Sequence, residues 1–323
     1  TEKKEEIKQS ETTEIKKETE TTGTTEILQT EKTEKPEETE ETEESFNAKS
    51  DSDQEYGDFK YTVNGDNVTI TGYTGAGGSV VVPQEIDGKT VTAIGDYAFD
   101  GCSSLTSLSL PESLMSVGMY MIRGTGITSI TIPKNVSSSG SDNSDNGALS
   151  GCTVLKEVIF EEGMKCIPAY IMASDDYTSY VEKVVIPSTV TEIGYKAFYK
   201  CTSLTELDIP KKVAEIGNYA FSGCTKLKTV QFNYNDEIVN TEQDGSKPYS
   251  LRLGNEIFSG CTSLETVGLT ENVTSIGNSA FDGCSSLTSL NLPESLTSVG
   301  SYMIRGTGIT SITIPKNVSS SGS

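Results

Sequence analysis

Histidine and tryptophan are both absent from the 323 residues. Without His the chain lacks the commonest general base near neutral pH and the commonest metal ligand, which excludes Ser-His-Asp triads and most zinc sites. Gly-x-Ser-x-Gly, phosphate-loop and dinucleotide fingerprints are missing as well, so neither an enzyme nor a cofactor or metal is expected. No apolar run approaches the ~18 residues that cross a bilayer, and direct membrane insertion is not expected. Basic clusters are also lacking. With 25 Lys and Arg against 47 Asp and Glu, the net charge is −22. Phosphate backbones and anionic lipid surfaces are repelled by such a chain, and nucleic acid is not an expected partner.

The hydrophobic fraction, 34%, is low for a uniformly packed globule, and the deficit is local. Residues 1–55 offer only Ile7, Ile15, Ile27, Leu28 and Phe46 as sizeable apolar side chains. The same stretch holds 19 acidic and 8 basic residues, a net of −11. It cannot bury enough surface to offset its ordering entropy, and Pro36 interrupts any helix there. Residues 1–55 are therefore expected to be a disordered acidic Glu/Thr/Lys tether.

Beyond the tether the chain is patterned. "FKYTVNGDNVTITGYTGAGGSVVVPQEIDGKTVTAI", from Phe59 to Ile94, shows alternation, β-branched runs and Gly-rich turns. It reads as short strands, and 56–93 is assigned to a strand-rich N-terminal cap. From Ile94 the dominant signal is a period near 23 residues: "IGDYAFDGCSSLTSLSLPESLMS" at Ile94, "IGYKAFYKCTSLTELDIPKKVAE" at Ile193, "IGNYAFSGCTKLKTVQF" at Ile216, "LGNEIFSGCTSLETVGLTENVTS" at Leu253 and "IGNSAFDGCSSLTSLNLPESLTS" at Ile276. Weaker copies begin at Val117, Ile167 and Val299, and part of another surrounds Ala148–Cys166. About nine units at this period signal a solenoid.

The unit resembles the leucine-rich repeat of the BspA-like type in its recurring Ala-Phe pair, Cys and Ile-Pro. That resemblance implies a mainly β solenoid: a right-handed leucine-rich-repeat array over 94–323 with a parallel sheet. The copies at Val117 and Val299 depart from the pattern, with "MIRGTGI" in place of Ala-Phe-x-x-Cys. The packing logic needs no family name. Leu105, Leu108 and Leu110 point inward, Pro111 ends the hydrogen-bond ladder, Leu114 and Val117 fill the next side, and Phe99 plugs the core. One unit cannot close its own core, so stability arises from stacking on neighbours.

Residues 98–141 recur as 280–323 with three differences, Ser109/Asn291, Met115/Thr297 and Met119/Ser301. The copy carries no visible polar cap at its end, so the natural chain is expected to continue beyond Ser323, and end-to-end self-association is a further expectation.

Six of seven cysteines, Cys102, Cys152, Cys201, Cys224, Cys261 and Cys284, share one repeat position. Stacked turns would set them about 4.8 Å apart and parallel, whereas a disulfide needs converging Cβ atoms nearer ~3.8 Å. They are expected to be buried thiols donating weakly to turn carbonyls. Cys166 lies off the ladder as the one candidate for a reactive thiol, with packing the favoured role. "DNSDNG" at 142–147 faintly matches a calcium loop, but position twelve would be Thr153, and no calcium is expected.

Outward strand positions are small and hydroxylated near both ends of the array and charged in the middle, at Glu157, Lys183, Glu206 and Asp208. Insertions at 137–147, 173–180 and 233–250 break the period in the same region. Tyr177, Tyr180, Tyr195, Tyr199, Tyr234 and Tyr249 fall within or between them, outside the repeat position held by Tyr97 and Tyr219. Tyrosine offers large amphipathic contact area at low entropic cost. These ten residues are the candidate binding set. The resemblance implies a bacterial surface or secreted binding module for a protein or glycan ligand, host matrix proteins among them. Its location would be extracellular or cell-surface, with the export signal or anchor outside these residues. The alternative is a structural spacer or surface-layer element.

Overall fold

The computed structural model describes residues 53–140, 145–233 and 250–321; the tether assigned to 1–55 falls almost wholly outside them. The chain forms a β-solenoid of about nine turns, with no helix among the described residues. It begins as a meander, β1 (Gln54–Tyr56), β2 (Phe59–Asn64) and β3 (Asn67–Tyr73), paired antiparallel. The pairing then turns parallel: β3 lies beside β6 (Lys89–Ile94), with Ile70 opposite Ile94, while the short β5 (Glu85–Ile86) hairpins onto β6. Tyr61, Val68, Ile70 and Val91 are buried here, so this part shares its core with the array.

Each regular turn then contributes up to two strands, where the sequence pattern suggested one. One series comes from the Leu-x-x-Leu-x-Ile segment and forms three short parallel ladders. These are β4 (Gly78–Val81) with β7 (Leu105–Ser109); β9 (Ser129–Ile132), β11 (Glu157–Phe160) and β13 (Lys183–Val185); and β15 (Glu206–Pro210), β17 (Thr229–Asn233) and β19 (Thr266–Gly268). The second series precedes each Gly-x-x-Ala-Phe turn. It runs from β6 through β8 (Ser116–Val117) to β10 (Ser138–Ser139), then from β12 (Cys166–Ile167) through β14 (Glu192–Ile193), β16 (Glu215–Ile216), β18 (Leu251–Leu253), β20 (Val273–Ile276) and β21 (Ser298–Val299) to β22 (Ser320–Ser321). Residues 287–292 and 309–314, which repeat the strand wording, form no strand.

The core is a column of one side chain per turn: Phe99, Ile122, Leu149, Met172, Phe198, Phe221, Phe258, Phe281 and Ile304, all buried except the last. From Phe198 to Phe281 the rings lie nearly parallel, with centroids 5.0, 5.6 and 5.6 Å apart. The turn from Ala148 has Leu149 at the ring position, and Phe160 of β11 packs edge-on against Phe198 at 6.1 Å to restart the stack. Leu105, Leu114 and Val117 are buried as their spacing indicates, while Leu110 is half-buried against the core.

Two backbone features set how closely turns approach. The glycine after most second-series strands lies against the preceding turn: a Cβ on Gly254 would sit 2.6 Å from the Gly217 carbonyl carbon and 2.7 Å from Asn218 N. Two residues further on, the chain adopts left-handed φ in eight turns, at Tyr97, Tyr120, Tyr170, Lys196, Tyr219, Glu256, Ser279 and Tyr302, with φ of 51–61°. Large side chains rarely tolerate this region, at a cost of about 1 kcal/mol or more each. The stack over-determines it, because in most turns the next residues hydrogen-bond across to the following one, as Phe198 N does to Ala220 O (2.8 Å) and Phe258 N to Ala280 O (2.9 Å).

Candidate binding surface

The left-handed corners build a ridge along one edge of the solenoid. Tyr97 stacks on Tyr120 at 5.2 Å, and Tyr177, from the 173–180 insertion, closes edge-on against Tyr120 at 5.9 Å. Arg123 lies over the first two rings, 5.3 Å from Tyr97 and 4.8 Å from Tyr120. Its guanidinium donates twice to Asp100, Nε to Oδ1 at 2.8 Å and Nη2 to Oδ2 at 2.6 Å, and reaches the Tyr177 hydroxyl at 3.3 Å. The Asp100 hydrogen bonds raise the Arg123 pKa further above its already high value. The result is a fixed planar cation between aromatic faces.

A second cluster continues the ridge. Tyr170, Tyr195 and Tyr219 follow one another edge-to-face at 5.3 and 5.8 Å. The Lys196 ammonium sits 4.8–5.4 Å from the ring centres of Tyr195, Tyr199 and Tyr219 and pairs with Asp145. Burial alone would lower the Lys196 pKa, but the hydrogen bond and charge of Asp145 outweigh it and leave the ammonium favoured. Lys200 pairs with Asp175 and is raised by that hydrogen bond. The Tyr219 hydroxyl donates to Glu256 Oε1 at 2.9 Å, which holds its proton more tightly.

Asn146 ties the two clusters together. It is fully buried; its Oδ1 accepts from Asp175 N (2.9 Å), Asp176 N (3.2 Å) and Ser150 Oγ (3.0 Å), while its Nδ2 donates to Asp176 Oδ2 (2.8 Å). Ser174, buried beside Ser150, donates to Tyr177 O at 2.9 Å. One buried amide thus sets the insertion that delivers Tyr177 and Asp175 to the ridge. Asp145 and Asn146, two letters of the calcium-like "DNSDNG", are engaged in these contacts. Among the described residues no group of three or more Cys, Asp or Glu is placed to hold a metal ion.

The sequence-named residues divide between two surfaces. Tyr177, Tyr195 and Tyr199 belong to the ridge, half-exposed. Glu157, Lys183, Glu206 and Asp208 lie on the outward face of the first strand series, where Lys183 Nζ donates to Glu157 Oε1 at 2.7 Å and lowers the Glu157 pKa. Tyr180 stands nearer that face, with Lys156 over its ring at 5.6 Å. Tyr234 and Tyr249 lie outside the described residues. Sequence reasoning passed over Tyr97, Tyr120, Tyr170, Tyr219, Arg123 and Lys196. The four tyrosines share one signal, recurrence just before the Ala-Phe position, which reads as repeat wording until the left-handed corner lines the rings up.

The cysteines sit inside the stack. Cys224, Cys261 and Cys284 donate to the Phe198, Phe221 and Phe258 carbonyls of the preceding turn at 3.3, 3.2 and 3.1 Å, and Cys152 and Cys201 to Ile122 and Met172 carbonyls at 3.6 Å. Cys102 is the loosest, 4.0 Å from Tyr73 O. All seven are free thiols. Burial pushes Cys152 and Cys284 up to about 12 and raises Cys201 and Cys224 well above the ordinary thiol value; burial and then Glu192 push Cys166 to about 11. A thiol with pKa about 12 is on the order of 10⁻⁴ thiolate at pH 8, so labelling should run about 10³-fold slower than for a free cysteine. Thiol-reagent titration of the folded chain should show slow reaction at Cys102 and Cys166 and release of the rest only on denaturation. A fast burst of five or more thiols would show that the ladder is not buried.

The family of the BspA type leucine-rich repeat region matches residues 84–180, 176–243 and 251–323, in six copies. Among solved structures, the chain is similar to a leucine-rich repeat protein of T. pallidum at 25% identity, covering 73% of this chain and 91% of that one, with a TM-score of 0.46. A leucine-rich cell surface protein of Faecalibacterium prausnitzii matches at 22% identity over 83% and 89%, TM-score 0.39. The pneumococcal vaccine antigen PcpA matches at 15% identity over 83% and 82%, TM-score 0.34. No curated protein matches the chain.

Proposed function

The chain belongs to the BspA-type leucine-rich repeat family, and from that premise we propose that it is an adhesion module which binds a protein or glycan ligand outside the cell through its tyrosine ridge. The carrying observation is that the ridge is elaborated in the turns from Tyr97 to Tyr219 and not in the duplicated turns that hold Ser279 and Tyr302. The duplicated segment gives the comparison: Tyr302, Arg305 and Asp282 repeat Tyr120, Arg123 and Asp100, with Arg305 over the Tyr302 ring at 5.3 Å and bonded to Asp282. There Ser279 stands where Tyr97 stacks, no insertion supplies a Tyr177, and Tyr302 is 67% exposed against 4% for Tyr120. A spacer needs the repeat alone; the added rings, paired cations and supporting amide of the turns from Tyr97 to Tyr219 suit recognition.

Half-exposed tyrosine faces offer stacking to sugar rings or to apolar and planar side chains, and the ion-paired Arg and Lys hold those faces in place before a ligand arrives.

The test is a screen of the whole chain against extracellular-matrix proteins and a glycan array. It is run beside a ridge variant, Tyr97→Ser with Tyr177→Ser and Tyr195→Ser, and a strand-face variant, Glu206→Lys with Asp208→Lys. All five side chains are at least 36% exposed, so both variants should melt near the parent. Saturable binding weakened tenfold or more in the ridge variant and retained in the strand-face variant is the expected result. Loss confined to the strand-face variant would move the site to the other surface, and no saturable binding at all would favour the spacer.

A further inference from the structure

Among the described residues, every Lys or Arg that lies over a tyrosine ring is also paired with a carboxylate. On the ridge Arg123, over Tyr97 and Tyr120, is held by Asp100; Lys196, among Tyr195, Tyr199 and Tyr219, by Asp145; and Lys200, 5.3 Å from the centre of Tyr199, by Asp175. Elsewhere Lys156 over Tyr180 is held by Glu182, and Arg305 over Tyr302 by Asp282. Ring and carboxylate together are how this protein seats a cation: the ring face offers its negative quadrupole and the carboxylate the opposite charge. Two carboxylates on the ridge have no cation of their own. They belong to the Asp-Tyr pairs Asp96-Tyr97 and Asp176-Tyr177, exposed at all four side chains, whose rings both pack on Tyr120. Asp96 Oδ1 accepts from Met119 N at 2.8 Å and Asp176 Oδ2 from Asn146 Nδ2 at 2.8 Å, both neutral donors. Arg123, which borders Tyr97 and reaches the Tyr177 hydroxyl, is committed to Asp100.

We infer that the ridge takes a basic polypeptide segment, two of whose Lys or Arg side chains complete the sites begun by Asp96 with Tyr97 and by Asp176 with Tyr177. This rests on the reading of the ridge as the binding surface and narrows its ligand to one class. Charge complementarity selects that class. With Arg123, Lys196 and Lys200 already balanced by Asp100, Asp145 and Asp175, the two remaining carboxylates leave the ridge net negative, in a chain that carries −22. The same charge draws a basic partner toward the array before contact. Tyr97 and Tyr177 are 43% and 39% exposed, so their rings are open to an incoming side chain. Alternate residues of an extended segment project to one side about 6.7 Å apart, so a basic residue at every second position presents a row of cations to the row of rings. An acidic glycan would bring its anions against Asp96 and Asp176, and a neutral sugar would leave both without a cation.

Fluorescence anisotropy tests this with the full chain and three labelled octapeptides, alternating Arg-Gly, Gln-Gly and Glu-Gly, at about 0.15 M salt, where charges farther apart than about 8 Å are largely screened. Saturable binding of the Arg peptide, at least tenfold tighter than either counterpart, is the expected result. Asp96→Asn with Asp176→Asn should weaken it at least fivefold. The new amides can still accept from Met119 N and Asn146 Nδ2, so this variant should melt near the parent. Glu206→Gln with Asp208→Asn removes the same charge from the strand face and should change binding less than twofold. An Arg peptide bound no tighter than the Gln peptide up to about 1 mM overturns the inference. So does binding indifferent to the Asp96 and Asp176 changes, as simple attraction to acidic residues 1–55 would be. The ridge reading is judged separately by the Tyr97, Tyr177 and Tyr195 variant: it stands if that variant loses a neutral or acidic ligand instead, and falls if every bound ligand ignores it.

Discussion

Replacing Phe221 with Ala is expected to cost about 3–5 kcal/mol, the usual range for removing a buried ring that the surroundings cannot refill. Phe221 is fully buried between Phe198 at 5.0 Å and Phe258 at 5.6 Å, so the deletion empties a place in a continuous stack. Refilling is hindered because each neighbouring ring is held by backbone bonds between turns, Phe198 N to Ala220 O at 2.8 Å and Phe258 N to Ala280 O at 2.9 Å. In a solenoid the loss falls on two interfaces at once. The melt should therefore drop by roughly 10 °C and broaden as the two flanking blocks uncouple. Phe221→Leu keeps most of the volume and should cost under about 1.5 kcal/mol. Equal melts for the Ala and Leu variants would mean the column does not hold the turns together.

Gly254→Ala should also be strongly damaging, at about 2–3 kcal/mol, through overpacking rather than a void. The added methyl would meet Gly217 C, Asn218 N and Gly217 O at 2.6–2.8 Å, all main-chain atoms of the preceding turn. No side chain can rotate away, so the turns must part, loosening the bonds from Gly254 N to Ile216 O and from Asn255 N to Asn218 Oδ1. Gly101→Ala is the internal comparison. Gly101 has left-handed φ, +71°, but no atom within 4 Å of the new methyl, so it should cost only about 1 kcal/mol. Chemical denaturation of both variants should rank Gly254→Ala as clearly worse; the reverse order would show that backbone approach does not set the spacing of turns.

The glycine was legible as repeat wording, and so were Phe99, Leu105, Leu114, Val117 and the shared cysteine position, because each has one role fixed by burial in every turn. The surface was less legible. Outward strand residues such as Glu206 and Asp208 could be placed by alternation, since period two follows from the pleat. The ridge could not, because it depends on left-handed corners at Tyr97, Tyr120, Tyr170 and Tyr219, and pattern does not announce such a conformation at a large residue. Nor could it show that Asn146 holds the loop that carries Tyr177, through contacts to backbone amides 29 and 30 residues away. The breaks between the strand ladders were hidden for a similar reason: residues 309–314 repeat 127–132 letter for letter, yet among the described residues only the earlier copy has a following turn to pair with.

The direction of the interstrand bonds has a mechanical consequence. Backbone links such as Gly217 N to Ile193 O, Gly254 N to Ile216 O and Gly277 N to Leu253 O join each turn to the one before it. Tension applied between the first and last turns therefore loads these bonds by peeling, a few at a time, instead of shearing a whole ladder together. Each turn that peels away releases on the order of 80 Å of extended chain, and the remaining turns keep their stacking. Pulled along its length, such an array pays out slack in steps and stays attached, behaving as a shock absorber where a single compact core would fail in one event.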